Sequence, residues 1–329
     1  MRESSKRIIE DLASKVNQRL SELLIVKHPE RFYEAVRWLP LAGGKRLRPI
    51  IALTVGKMLG GNEEDIMPFA LALELTHNFT LVHDDIIDED EFRRGVKTVH
   101  VAFDIPTAII AGDTLFAMAY REFSKLNVSE DALREILRDF SDMIIELAEG
   151  EYEDVEFEKR NDVTTEEYIE MIRKKTARMM QTACYGAALI VTGSTESAKK
   201  LGNYGLYVGL AFQIQDDILG LIGDSKITGK PVGSDIRKGK KTILIIHALN
   251  NSDANTAKRL LEILNKPEKT DKDVKEATEI IKSAGSIEYA KDLALKYAND
   301  ALKALEGTPE NEYKYLLEDL AYYVVERIK

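Results

Sequence analysis

Residues 69–88 read FALALELTHNFTLVHDDIID. From Phe69 to His83 apolar residues occupy nearly every side of a 3.6-residue helix, and a helix that is apolar almost all round belongs in a core. The stretch then ends on carboxylates, at Asp84, Asp85 and Asp88. Charges at the end of a buried helix are tolerated only with a cation or with hydrogen-bond donors. Asp84 and Asp88, four residues apart, share one helix face, while Asp85 points about 100° away. The pattern recurs at Tyr204–Asp217, which closes on Phe212-Gln213-Ile214-Gln215-Asp216-Asp217. An isolated DDxxD is more often a solvated acidic helix end, but two acid-ended buried helices suggest a shared cation site. Hard carboxylate oxygens without a Cys or His cluster favour Mg²⁺, which bridges protein carboxylates to phosphate esters.

Outward from this stretch the same spacing of three and four continues. It runs through Ile8, Leu12, Val16, Leu20 and Leu23, and again through Leu133–Leu147, Ile287–Leu305 and Tyr313–Ile328, with breaks such as Gly60-Gly61-Asn62 and Gly193-Ser194. No low-complexity linker divides the chain. The expectation is an all-α fold: a single domain over residues 1–329, with roughly ten helices bundled around a central substrate cavity.

The charge balance narrows the ligands. Lys and Arg number 46 against 56 Asp and Glu, a formal charge of −10, so no general affinity for nucleic acid or an anionic membrane is expected. An anionic ligand must instead meet a local basic cluster. Three exist: Gly43-Gly44-Lys45-Arg46-Leu47-Arg48-Pro49, Arg93-Arg94-Gly95, and the Gly/Lys-rich segment Gly229–Thr242. Each alone could be a solvated basic turn; together they look like anion clamps, with Arg gripping phosphate oxygens bidentately and Lys supplying a mobile charge. Gly43-Gly44-Lys45 lacks the spacing of a P-loop. His77 lies two turns before Asp84 on nearly the same face, so it faces either the same cavity or plain core. The single cysteine, Cys184, excludes a disulfide framework or a multi-thiolate zinc site and reads as a small buried apolar residue. Thr182–Val191, the longest weakly polar run, is too short to cross a bilayer, and Met1–Ile9 lacks the apolar core of a signal peptide. A cytoplasmic protein with no stable membrane insertion is expected.

These motifs, in this order, resemble the trans-isoprenyl diphosphate synthases, the family that includes farnesyl and geranylgeranyl diphosphate synthases. The resemblance rests on Gly43–Pro49, Asp84–Asp88 followed by Arg93-Arg94-Gly95, Lys175-Thr176, Phe212–Asp217 and Gly229-Lys230 to Lys240, and covers nearly the whole chain. It implies head-to-tail condensation of isopentenyl diphosphate with an allylic diphosphate, in an all-helical fold that is usually a homodimer. It also implies site residues. Asp84, Asp88 and Asp216 would ligate Mg²⁺ on the allylic diphosphate, and Arg93, Lys175, Lys230 and Lys240 would complete that cage. Lys45, Arg48, His77 and Arg94 would hold isopentenyl diphosphate, while Thr176 and Gln213 sit beside the allylic carbon. Asp85, Asp217 and Asp235 would act indirectly or through water. One position departs: Gly220 stands where the family often has a third aspartate.

Product length should be set along the helix below Asp84, since each C5 unit is about as long as one helical turn, ~5 Å. Thr80 and Thr76 lie one and two turns below on the same face, and Phe79 is the bulky neighbour. The aromatic five positions before the motif, with a small residue at four, resembles archaeal geranylgeranyl synthases. A C20 product is therefore expected, with some C15, unless Phe79 is ordinary core packing. Two other readings share parts of this pattern. A class I terpene cyclase has no second diphosphate to hold, which Lys45, Arg48 and Arg94 argue against. A non-catalytic partner subunit usually loses one acidic motif, and both are present.

Overall fold

The computed structural model describes residues 1–223 and 233–326. Lys230 lies outside the described residues, as do the tail residues Arg327 and Lys329.

Helix α1 (Glu3–Leu23) buries Leu12, Val16 and Leu20, the stripe read from the sequence, and α2 (Glu30–Leu41) follows. Helix α3 (Leu47–Met58) is buried on almost all sides, from Pro49 to Gly56. Helix α4 (Glu63–Ile87) carries the deciding stretch. Its start is set by Asn62, whose side chain accepts from the Glu64 N–H, and by Glu63, Glu64 and Asp65 in the first turn, where negative charge suits the helix dipole. Beyond it Phe92–Arg93 pairs antiparallel with Val96–Lys97. This hairpin holds the only strands among the described residues; it departs from the expected all-α fold, as does the helix count, sixteen α-helices among the described residues against roughly ten expected. The single turn α5 (Val99–Ala102) leads to α6 (Ile105–Glu122), capped by the Asp104 carboxylate and packed along α4.

The remaining elements are α7 (Glu130–Glu158), α8 (Thr165–Ile172), a π-helical turn (Arg173–Ala177), α9 (Arg178–Thr192) and α10 (Thr195–Ile222). Thr164 and Glu167 close a reciprocal capping box at the start of α8. After α11 (Ser234–Lys238) come α12 (Ile243–Asn251), α13 (Ala254–Leu264), α14 (Asp271–Ser283), α15 (Ser286–Ala304) and α16 (Glu312–Glu326).

The chain divides into two compact units. The first comprises Met1–Asp139, Thr182–Gly202 and Gly307–Asp319; its core is built on α1, α3, α4 and α6. The second comprises Phe140–Gln181, Asn203–Glu306 and the chain from Leu320. Its core gathers Tyr168, Met171, Ile214, Ile218, Ile243, Ile245, Ala290 and Ala294 around α12, which buries four consecutive apolar residues. Burying a Leu- or Ile-sized side chain contributes about 1.5–3 kcal/mol, so each core is a large favourable term in the stability of its unit.

Candidate active site

In the first unit α4 runs unbroken into the acidic motif. The Asp88 N–H donates to the Asp84 carbonyl at 2.7 Å, so these two aspartates stand one turn apart as the spacing predicts. Asp85 is buried and turned elsewhere. Its Oδ1 accepts from Arg93 Nε at 2.5 Å, while Oδ2 is buried with no partner. Burial pushes the Asp85 carboxyl up, against the pull of Arg93. Arg93, expected around the allylic diphosphate, therefore anchors the hairpin to α4 and also lies 3.6 Å from Asp90.

The hairpin aims the next arginine differently. Arg94 and Gly95 are its two central residues, with φ of 53° and 77°, the positive pair that a type I′ turn requires. Arg94 Nη1 donates to Asn78 Oδ1 at 3.0 Å and to the Leu39 carbonyl at 3.1 Å. Its guanidinium lies against Gly44, where a Cβ would come within 2.9 Å of Cζ and where φ is +129°. Asn78 donates in turn to Glu74 Oε1 at 3.0 Å, and that oxygen also takes Arg46 Nη1 at 2.6 Å. Arg46 further donates to Asn17 and to the Pro40 carbonyl. Within Gly43–Pro49, then, Arg46 is a buried strut, while Lys45 is exposed and Arg48 half-buried.

His77 sits among these cations. Burial pushes its imidazole well below the ordinary histidine range, and Arg48, Arg94, Arg93 and Arg46 push the same way, so it is a neutral ring near four guanidiniums. Burial also lowers Arg94, to about 10, with Arg46, Arg93 and Arg48 adding to it against Glu74. Of the residues expected to hold isopentenyl diphosphate, Arg48, His77 and Arg94 thus share one electropositive neighbourhood.

Below Asp84, Phe79 meets the His83 ring edge-on at 4.9 Å and the Phe116 ring of α6 at 5.1 Å. Thr80 is buried and donates to the His77 carbonyl at 2.9 Å; the buried Thr76 hydroxyl has no partner. A separate cavity of about 380 Å³ among α1, α2 and α6 is lined by none of the expected site residues.

In the second unit the π-helical turn holds Lys175 and Thr176; the Arg178 N–H reaches back five residues to the Arg173 carbonyl. Glycines allow neighbouring backbone to come close. A Cβ on Gly150 of α7 would lie 2.6 Å from the Lys175 nitrogen, and one on Gly209 of α10 would lie 2.5 Å from the Ala177 Cα. Lys175 Nζ donates to Asp154 Oδ2 at 2.6 Å and lies 2.7 Å from Glu151, and Lys240 Nζ shares the same Asp154 oxygen at 2.6 Å. Burial pushes the Asp154 carboxyl up, but the two lysines outweigh it and hold it below the ordinary carboxylate range. Sequence reasoning missed Asp154 and Glu151. The only signal was their spacing after Gly150 on a strongly acidic helix, which reads equally as a solvated face.

Thr176 Oγ1 donates to Gln213 Oε1 at 2.8 Å, and Gln213 Nε2 donates to Asp217 Oδ1 at 3.0 Å. Tyr168, also missed, donates its buried hydroxyl to Asp217 Oδ2. Burial pushes Asp217 up to about 7; Asp235 and Asp216 add to this, against the bonds from Tyr168 and Gln213. At Gly220 an added Cβ would lie 2.6 Å from Asp235 Oδ2, so a carboxylate stands against the position that lacks one.

The donor set suits Mg²⁺. Its oxygens are hard carboxylates, and Asp216 and Asp235 both stand near enough to Asp217 to raise its carboxyl beyond what burial does. Among the described residues no three acidic, His or Cys side chains converge on one point. Few protein donors per ion is what Mg²⁺ tolerates, since it keeps water and takes substrate phosphate. Among the described residues no helix is long and apolar enough to cross a membrane.

Comparison with known proteins identifies the family. The polyprenyl synthetase family pattern matches residues 29–281. A geranylgeranyl pyrophosphate synthase of Geoglobus acetivorans is 41% identical over 321 residues, covering 97% of this chain and 98% of that one. A geranylfarnesyl diphosphate synthase of Natronomonas pharaonis is 39% identical, covering 95% and 94%. The crystal structure of geranylgeranyl pyrophosphate synthetase from Pyrococcus horikoshii superposes with a TM-score of 0.92 at 42% identity, covering 99% and 98%. One from Corynebacterium glutamicum, in complex with isoprenyl diphosphate and magnesium, does so at 0.88 and 28% identity, covering 97% and 99%. The chain belongs to the polyprenyl synthetase family and is a prenyltransferase of the short-chain isoprenyl diphosphate synthase type.

Proposed function

We propose that this chain joins isopentenyl diphosphate head-to-tail to allylic diphosphates of C5 to C15, with geranylgeranyl diphosphate (C20) as main product and some farnesyl diphosphate. The observation that carries this reading is the division of charge: guanidiniums gathered around His77 for an anion, and carboxylates gathered around Asp217 for a cation.

In this reading Arg48, His77 and Arg94, with Lys45, hold isopentenyl diphosphate. The neutral imidazole serves as a hydrogen-bond partner and adds no charge. Asp84, Asp88 and Asp216 would hold Mg²⁺ with the allylic diphosphate. When bound, the metal supplies charge stabilisation for the departing pyrophosphate. Arg93, Lys175, Lys240 and Lys230 would grip the same group, with Asp154 keeping two of the lysines from repelling each other. Thr176 and Gln213 present neutral oxygens to the allylic carbon, which stabilise developing positive charge without trapping it covalently. Fixing both substrates by their phosphates makes the attack of the isopentenyl π bond effectively unimolecular. The departing pyrophosphate takes the proton, no protein base being assigned to it. Residues 1–329 would form a single all-helical prenyl diphosphate synthase domain.

Phe79, packed edge-on against His83 and tilted against Phe116, supports a floor for the product tail. A homodimer is supported by Ile105, Ile109 and Ile110, an exposed apolar row on α6. A cytoplasmic location fits the helices described. The test is incubation with labelled isopentenyl diphosphate, Mg²⁺ and each allylic primer, followed by sizing of the dephosphorylated alcohols. A Mg²⁺-dependent C20 alcohol is expected, and longer alcohols from Phe79→Ala. A wild-type C25 product discards the chain-length assignment, and no product from any primer discards the reaction.

A further inference from the structure

Four side chains of the second unit form one hydrogen-bonded chain whose direction is set by chemistry. Tyr168 is fully buried, and its hydroxyl has a single proton, given to Asp217 Oδ2. A carboxylate can only accept. Gln213 must therefore turn its amide nitrogen to Asp217 Oδ1, 3.0 Å away, and its Oε1 to Thr176, whose hydroxyl donates across 2.8 Å. Thr176 has then spent its only proton, so its other side carries lone pairs alone, and a lone pair also remains on Gln213 Oε1.

The alternative is an amide turned by 180°. The two ends of a glutamine amide are nearly equal in shape, so packing does not choose between them. A reversed Gln213 would give an N–H to Thr176, and the Thr176 proton would point outward. Both dipoles would then oppose a developing positive charge.

We propose that Tyr168 is a positioning residue: by fixing the Asp217 carboxylate it locks the Gln213 amide so that oxygens, not protons, of Gln213 and Thr176 face the allylic cation. The proposal rests on the prenyl-transfer reading and extends it to a residue that touches no substrate. Without the phenol, Asp217 Oδ2 is buried and unsatisfied, and the carboxylate is able to rotate away from Gln213.

The test compares kcat and both KM values for five proteins at one fixed pH. Tyr168→Phe is expected to lower kcat about tenfold, with each KM within about twofold of wild type. Asp217→Asn is expected to do worse, about a hundredfold. There the phenol claims the Asn oxygen, the Asn nitrogen faces Gln213, and the amide is forced round. Adding Tyr168→Phe to Asp217→Asn lets the Asn oxygen return to Gln213, so the double variant should turn over faster than Asp217→Asn alone. Gln213→Glu with Asp217→Asn should also recover turnover, because a carboxylate offers Thr176 an oxygen whichever way it turns. This last pair keeps Tyr168 and the net charge, so it decides the matter if Tyr168→Phe does not fold. Wild-type kcat in Tyr168→Phe, or no recovery in either double variant, overturns the proposal. A wild-type protein that makes no prenyl product overturns the reaction itself, and a productive wild type separates the two failures.

Discussion

Around His77 four guanidiniums crowd a neutral ring, whereas around Asp217 two further carboxylates crowd a third. Gathering like charges at low dielectric is costly in both places. The two regions offset that cost by different means. In the first unit Arg46 leans on the buried carboxylate Glu74, which Asn78 relays to Arg94, and Arg93 leans on the buried Asp85. In the second unit Asp217 leans on neutral donors, Tyr168 and Gln213, while the nearby lysines lean on Asp154. The comparison teaches that charge excess is the readable mark of a site, and that the groups which make it tolerable are hidden in the core.

The sharpest way to break the comparison is to remove the first unit's strut. Glu74→Leu leaves Arg46 buried without its carboxylate and should cost about 3–5 kcal/mol, measured by urea unfolding; a loss under about 1 kcal/mol would mean that Asn17 and Pro40 alone suffice. Next is the acidic motif. Asp84→Ala should lower kcat by about 10²–10³ while the circular dichroism stays that of a folded helical protein. Near-normal turnover would remove Asp84 from the site.

A subtler change tests the aim of Arg94. Gly44→Ala places a methyl against the guanidinium and strains a backbone at φ +129°, so the KM for isopentenyl diphosphate should rise by about tenfold and the KM for the allylic substrate should not. Equal rises in both would mean that Arg94 serves the two substrates alike.

The smallest effects are in pH, and the two regions should differ in sign. His77 is neutral in the fold, and the unfolded chain takes up a proton below about 6.5, so its contribution is lost as pH falls through that value. Asp217 behaves oppositely: between 3.8 and about 7 the fold holds the extra proton, so its contribution is lost as pH rises through that window. In metal-free protein, His77→Gln should flatten the acid side of the melting profile and Asp217→Asn the neutral side, each by about 2–4 °C. Shifts on the same side would refute the contrast.

Much of this was legible beforehand. The all-round apolar run from Phe69 to His83, the acids that close it, and the basic clusters in an acidic chain depend on local spacing, which a sequence displays directly. Arg46 shows the limit: it stands between Lys45 and Arg48 in one basic motif, yet its partners Asn17, Pro40 and Glu74 come from three other places in the chain. Tyr168 and Asp154 escaped for the same reason, since their partners lie up to 49 and 86 residues away. The hairpin at Arg94-Gly95 was hidden by its size, two residues per strand.

The π-helical turn at Arg173–Ala177 has a consequence for insertions and deletions. One such turn is an α-helix with a residue to spare, held where Gly150 and Gly209 let backbone approach it. Deleting Lys174 would let α8 run into α9 with regular bonding throughout, and by local geometry alone the shortened helix would be the better one. It would also rotate every later side chain by about 100° against α8 and carry Thr176 away from Gln213. The irregular count is what a length-changing mutation in this segment would erase, so the most regular variant of this helix should be the least active.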